Sequence, residues 1–318
     1  YIFRLTNIRY EKAKECQMNN NNIKLRLALD WTPNINHIGF YVAKEKGFFK
    51  ELNIDVEIIS PKTDNYKYSP AKKIELYLAD IALCPTESII SFRTKKKPFK
   101  LYALATIFQR DISAIAVVKS NNIKSPKDLD GRSYASYGAR YEDLIVRQLI
   151  KNDGGKGDVK IYYPERLGVW NTVANNKYDS TWIFLNWEGI EKPDLKYFKL
   201  SDFNIPYSYS PLITTSSKLI NEKKSSIKMF LKATKKGFIY SVNNVQESSE
   251  ILYKYLSEDD KKINLKNAIN FSRKYFGSQD SFGKINENVF SKFFQWLNLN
   301  KIEKIDFDIK DFYFKLDF

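Results

Sequence analysis

Cysteine, histidine and methionine are nearly missing from this chain: two, one and two residues in 318. Two cysteines, Cys16 and Cys84, cannot build a disulfide framework or a thiolate zinc centre. The lone imidazole, His37, excludes an all-histidine or Cys/His metal site within one copy and leaves a serine triad with a single candidate base. No apolar run approaches the roughly 20 residues needed to span a bilayer. The longest, Leu101–Phe108 and Ile112–Val118, have the length of buried strands. Beyond one asparagine run, Asn19–Asn22, there is no low-complexity segment, and no internal repeat is evident.

The remainder describes a globular chain, 43% hydrophobic and 28% charged. At roughly 150 residues per domain its length suits about two lobes. Net charge is +15, which raises nucleic-acid binding as a possibility. The lysines, however, are scattered among Asn, Ile and Tyr as an AT-rich coding sequence scatters them. The one tight cluster, Lys95-Lys96-Lys97, reads as a solvated loop, so no specific nucleic-acid partner is expected. Residues 1–22 carry Lys, Arg and Glu throughout and lack the apolar core of a signal peptide. They read as an extraneous or disordered leader, with Met18 a candidate start. On that reading the location is cytoplasmic as the sequence stands, and periplasmic or surface-anchored if the N-terminus is incomplete.

Ile23–Leu29 alternates as a strand does, and His37–Lys50 carries apolar residues at helical spacing until Gly47 stops it. Ile54–Ile59 and Asp80–Leu83 are further strands. Ser69-Pro70 opens a helix to about Leu78, and Pro85-Thr86-Glu87 opens another through Phe92. This β-α alternation predicts a parallel sheet with covering helices. Strands at Lys100–Phe108 and Ile112–Lys119 lead into a second, shorter β/α series ending near Glu191, after which Pro211–Thr215 reads as a returning strand. Helices follow at Ser225–Asn243, Val245–Leu256, Asp259–Tyr275 and Asn286–Asn298. The predicted fold class is α/β: a clamshell of two α/β lobes joined by a two-stranded hinge, with a helical C-terminal segment. Lobe 1 is read as 23–108 plus 212–318 and lobe 2 as 109–211. Such lobes bind ligands at the carboxyl ends of strands and close around them by hinge motion.

Four stretches that follow strands carry polar or aromatic chemistry. Asp30-Trp31, with His37 nearby, offers a flat ring for stacking and a carboxylate for a ligand amine. The alternative is a Trp that plugs the core, an Asp that satisfies its loop and a His that caps a helix. Cys84–Ser88 contains Thr86 and Glu87 at a helix start, where free amides and hydroxyls suit a polar ligand edge but also describe an ordinary cap. In "SYGARYED", Ser136–Asp143, Gly138 permits a tight turn and Tyr137, Arg140 and Tyr141 can reach a ligand, yet the glycine spacing fits neither a P-loop nor a dinucleotide fingerprint. In "STWIFLNWEGIE", Ser180–Glu191, Trp187 and Glu188 repeat the Trp-plus-carboxylate pairing of Asp30-Trp31. A carboxylate grips an aminopyrimidine through its exocyclic amine and a protonated ring nitrogen. Two such pairs, one per lobe, would sandwich a flat, amine-bearing heterocycle.

"LDWTPNINHIGFYVAKEKGFFKELNIDVEI", "ADIALCPTESII", "DLDGRSYASYGARYED" and "DSTWIFLNWEGIE" together resemble a family with two branches. One branch holds binding proteins for thiamine pyrimidine precursors, of the formylaminopyrimidine type, that serve ABC transporters. The other holds fungal-type synthases, which make hydroxymethylpyrimidine phosphate from pyridoxal phosphate and one of their own histidines. The resemblance covers about residues 23–250. It implies a type II periplasmic-binding-protein fold with the pyrimidine in the interlobe cleft. Asp30, Trp31 and His37 match the family's cleft motif, and Trp187-Glu188 is similar to the binding-protein branch. The synthases' cofactor lysine and donor histidine fall on Cys84 and Ser88, their cysteine-rich iron run is absent, and "SYGARYED" replaces their glycine-rich phosphate loop. The expectation is therefore a binding protein without cofactor. Its partners would be a small aminopyrimidine and, in transport, an ABC permease. Trp31 and Trp187 would stack, Asp30 and Glu188 would bind amine or ring nitrogen, and His37, Thr86, Glu87, Tyr137, Gly138 and Arg140 would complete the site. A synthase using pyridoxal phosphate and iron is the alternative.

Overall fold

The computed structural model describes residues 22–118 and 122–318. The expected leader, save Asn22, and Lys119 at the end of one expected strand lie outside the described residues. The chain opens with β1 (Ile23–Ala28), α1 (Ile38–Glu45), β2 (Ile54–Ile59), α2 (Pro70–Glu75), β3 (Ile81–Cys84), α3 (Thr86–Thr94) and β4 (Leu101–Thr106). It then crosses to β5 (Ser113–Val117), β6 (Ser133–Ala135), α4 (Glu142–Asn152), β7 (Lys160–Tyr162), α5 (Val169–Ala174), β8 (Ser180–Phe184), α6 (Glu188–Glu191) and β9 (Lys196–Lys199). It returns through β10 (Leu212–Ser216) and ends in α7 (Ser217–Asn243), α8 (Val245–Tyr253), α9 (Leu265–Phe276) and α10 (Glu287–Leu299).

Two five-stranded sheets result, ordered β2-β1-β3-β10-β4 and β7-β6-β8-β5-β9. Both are mixed, where the β-α alternation predicted parallel strands. β1 runs parallel to β2 and β3, but β10 enters antiparallel between β3 and β4. In the second sheet β6 is parallel to β7 and β8, whereas β5 is antiparallel to β8 and β9. The cause is the double crossing: a strand entering each lobe straight from the other needs no helical crossover, so it can run against its neighbours. The two crossings touch where the Ile107 amide donates to Pro211 O at 3.4 Å.

The first lobe's core explains where the site loop stands. Residues Ile38–Ala43 of α1 are all buried, so this helix is apolar on every side rather than amphipathic. It crosses α7 at two glycines. A Cβ on Gly237 would lie 2.0 Å from Gly39 O, and one on Gly39 would lie 2.0 Å from the Phe238 ring. α1 ends at a Schellman turn: Gly47 has φ +75, Phe48 N donates to Ala43 O at 2.8 Å and Gly47 N to Lys44 O at 3.2 Å. The start differs from the expected helix at His37, because Ile35–His37 forms a separate 3-10 turn capped by Asn34.

Other boundaries shift for local reasons. α7 carries an extra stretch from Ser217 that a kink at Lys223 (φ -134, ψ 32) separates from the long helix expected from Ser225. The expected Asp259–Tyr275 helix is broken by Asn264, whose side chain accepts from Asn267 N at 3.1 Å and caps α9. β9 was not foreseen in the lysine-rich "KYFK". Beyond α10 the chain runs along β4: Phe314 N donates to Ala103 O at 2.8 Å and Ala103 N to Phe312 O at 3.1 Å, with Phe312 fully buried. This tail covers an otherwise bare sheet edge.

Candidate ligand-binding site

A cavity of about 160 Å³ lies between the lobes, below the roughly 300–1,000 Å³ of drug-sized pockets. Its walls are aromatic. Trp31, just beyond β1, meets Tyr137 of the second lobe edge-on, with centroids 5.4 Å apart, and Tyr66 of the first at 5.9 Å. Trp182, on β8, meets Tyr207 of the returning crossing at 5.0 Å. Trp187 also lines the cavity, with its buried body in the first lobe's apolar cluster.

Among the described residues, four carboxylates (Asp30, Glu87, Glu142, Glu188) and one guanidinium (Arg166) line this space, and no lysine does. The Arg166 guanidinium sits 4.8 Å above the Tyr66 ring. Asp30 Oδ1 is 2.8 Å from His37 Nε2, while His37 Nδ1 accepts the Asn34 amide at 3.2 Å. That second bond puts the ring proton on Nε2, so His37 donates to Asp30 and fixes its rotamer. His37 is wholly buried and stands behind Asp30, outside the cavity lining.

Glu87, in the first turn of α3, accepts from the Tyr207 hydroxyl at 2.7 Å through Oε1. Its other oxygen is buried and has no partner. Burial pushes this carboxyl up to about 7 against the pull of Tyr207. Glu188, at the start of α6, accepts the Phe184 amide at 2.9 Å, and burial pushes it likewise up to about 7. Two acids lining one cavity that hold protons near neutrality can each donate to, or accept from, a nitrogen heterocycle.

The remaining expected residues sit elsewhere. Thr86 is buried with its hydroxyl 3.0 Å from Ser208 Oγ and 2.9 Å from Tyr209 O, and its amide also donates to Tyr209 O. It ties α3 to the crossing. Cys84 is buried beside Thr214 Oγ1 at 3.4 Å, and burial pushes its thiol up to about 12, so it is no nucleophile. Arg140 turns outward to Glu303 of the C-terminal tail. Gly138 has φ +67 and shapes the loop, with Arg166 Nη2 donating to its carbonyl at 3.4 Å. Trp182 lies on β8 in a stretch that the sequence had marked, whereas Tyr66, Glu142, Arg166 and Tyr207 are polar or aromatic cavity residues that sequence reasoning did not select. Of these four, only Glu142 lies in a stretch already marked.

The family model described as NMT1/THI5 like matches residues 34–248. The chain belongs to the NMT1/THI5-like family. A formylaminopyrimidine-binding protein of Halalkalibacterium halodurans is 25% identical, covering 72% of this chain and 69% of its own. A 4-amino-5-hydroxymethyl-2-methylpyrimidine phosphate synthase of Legionella pneumophila is 21% identical over 72% of both. The ligand-binding component of an ABC-type import system from Staphylococcus aureus superposes with a TM-score of 0.68 at 13% identity, covering 92% of this chain and 97% of its own. The expected periplasmic-binding-protein fold, a two-lobed clamshell, is therefore the fold of this family member.

Proposed function

We propose that the protein binds a thiamine pyrimidine precursor, an aminopyrimidine, in the interlobe cavity and serves thiamine biosynthesis or salvage as the substrate-binding component of an ABC transporter. The observation that carries this reading is the cavity lining, three tryptophans and four carboxylates, one of which, Glu87, also keeps a buried Oε2 without a protein partner. A buried polar atom without a partner costs about 1–3 kcal/mol, which a ligand amine or ring N–H would recover. Glu188 and Asp30 offer acceptors on opposite lobes, and Trp31, Trp182 and Trp187 offer ring surface. The formylaminopyrimidine-binding relative supports the ligand class, and likeness to an ABC import component supports a permease partner and an extracytoplasmic site of action. No helix among the described residues is long and apolar enough to cross a membrane.

A 4-amino-5-hydroxymethyl-2-methylpyrimidine phosphate synthase is the other activity named among the relatives, and the synthase branch of the resemblance implies pyridoxal phosphate as its cofactor. Against it stands the cavity lining, which among the described residues includes no lysine to form the cofactor's imine. The Tyr137–Ala139 amides are also bonded already to side chains of this chain. The group does not fit these residues.

Calorimetry with 4-amino-5-hydroxymethyl-2-methylpyrimidine tests the proposal. One-to-one binding is expected, weakened at least tenfold by Glu87→Gln and by Glu188→Ala. No binding at millimolar ligand refutes it.

A further inference from the structure

The loop "SYGARYED" has the shape of an anion cradle. The left-handed Gly138 turns three successive amides, those of residues 137, 138 and 139, toward the N-terminal end of the eleven-residue α4. Backbone amides so arranged, with a helix dipole behind them, bind phosphate or carboxylate groups. Here none of the three is free. Tyr137 N donates to Glu142 Oε1 at 3.0 Å and Ala139 N to Glu142 Oε2 at 3.1 Å, while Gly138 N donates to Ser136 Oγ at 3.0 Å. The Tyr134 hydroxyl adds a third bond to Glu142, at 2.8 Å. Glu142 is 3% exposed and lines the ligand cavity together with Tyr137, Ala139 and Arg166.

We propose that Glu142 is a built-in anion that fills this cradle and restricts the ligand to phosphate-free molecules, so that the protein takes the free aminopyrimidine and rejects its phosphate ester. The inference rests on the reading of the cavity as an aminopyrimidine site and adds which chemical form is accepted. A phosphate dianion entering the cavity would meet the amides already engaged by Glu142 and would face Asp30 and Glu142, with Glu87 and Glu188 adding charge as pH rises through about 7 and Arg166 alone to balance them. Like charges at such range in a shielded cavity repel strongly. A neutral or protonated aminopyrimidine meets the same carboxylates as acceptors. Glu87, which lines the cavity from the first lobe, keeps a buried Oε2 without a protein partner, a separate sign that a donor is missing there.

The experiment titrates the wild-type full chain with 4-amino-5-hydroxymethyl-2-methylpyrimidine and with its phosphate ester, then repeats both with Glu142→Ala. Wild type is expected to bind the ester at least 100-fold more weakly than the free pyrimidine. Glu142→Ala is expected to narrow that ratio at least tenfold. Comparable affinity of wild type for both forms overturns the proposal, as does an unchanged ratio in folded Glu142→Ala. Should that variant melt too low to titrate, Glu142→Gln, which keeps the side-chain shape and removes the charge, carries the same ratio test. Inorganic phosphate supplies a separate readout. It is expected to raise the melting temperature of the Glu142 variants and leave wild type unmoved, and equal shifts in both overturn the proposal. If neither pyrimidine form binds wild type, the functional reading fails, while the phosphate arm still decides whether Glu142 occupies an anion cradle.

Discussion

Glu87 and Glu188 make the cavity responsive to pH. Below about pH 4.5, the ordinary value, both carboxyls are protonated in the folded and unfolded chain alike. Between there and about 7 the unfolded chain ionises them and the folded one does not, so unfolding releases protons and stability falls as pH rises. Above about 7 the folded chain holds buried charges, at a cost of a few kcal/mol at most. The melting temperature of the ligand-free protein should therefore decline from pH 5 to pH 8, and Glu87→Gln should flatten that decline in a thermal melt series. A neutral aminopyrimidine bound to either acid shares one proton with it. Above pH 7 that proton must be taken up on binding, so calorimetric affinity should fall by up to about tenfold per pH unit. His37 works at one remove: His37→Ala strips Asp30 of its donor and leaves a void at a fully buried position. We expect a loss of about 2–4 kcal/mol in urea unfolding together with weaker binding, since Asp30 then loses its fixed rotamer. Asp30, Trp31, Trp187 and Glu188 were legible as residues that follow strands, and they do line the cavity. Tyr66, Arg166 and Tyr207 were not, because they come from loops and a crossing that reach the cavity only once two distant segments pack, as Arg166 does on Tyr66.

Elements with strong local signals came through the sequence nearly intact. β1, β2 and α4 carry the alternation or the 3.6-residue spacing of their apolar positions, and Gly47 marks the end of α1 by a backbone angle that side chains resist. What local signals cannot carry is a neighbour chosen by topology. β9 is a strand because β5 offers it hydrogen bonds, pairing Ile115 with Phe198, and the tail beyond α10 is extended because the β4 edge is open to it. Nor does the sequence announce that Gly39 and Gly237 are a contact, since either glycine alone is only a poor helix former. Their crossing sets the depth at which α1 lies and hence the position of the Asn34–His37 turn at its start. Gly237→Ala places a methyl 2.0 Å from Gly39 O, so α1 and α7 must separate. A destabilisation of about 1–3 kcal/mol or more is expected in denaturant titration, with a drop in ligand affinity transmitted through the displaced turn. An unchanged midpoint would mean that the crossing has slack.

Across the whole molecule, the lobes are held together at the mouth as well as at the hinge. Trp31 meets Tyr137, Arg166 covers Tyr66, and Asn186 Nδ2 donates to Asn36 Oδ1 at 2.9 Å and to Ser272 Oγ at 3.0 Å inside the interface. Lys262 pairs with Glu191 at 2.9 Å on the rim. The tail adds a strap: Glu303 accepts from both Arg140 and the Tyr141 hydroxyl of the second lobe. Exposed ion pairs contribute about 0–1 kcal/mol, but Glu303 is largely shielded and takes several donors. Glu303→Ala should shift the ligand-free protein toward an open clamshell. Small-angle scattering should report a larger radius of gyration, and affinity should fall by up to about tenfold while the ligand-bound radius stays unchanged.

The position of β10 has a consequence for how the chain acquires its shape on the ribosome. Among the strands of its sheet β4 pairs only with β10, which is made after the whole of the second lobe, and its remaining backbone bridges come from segments made later still. As synthesis proceeds, β1 to β3 can assemble with α1 while the slot beside β3 stays vacant. The second lobe, an uninterrupted segment, is complete before that slot can be filled. The first lobe's sheet therefore cannot be completed until every residue of the second lobe has been made, so both walls of the cavity are in the emerging chain before the sheet beneath it is whole.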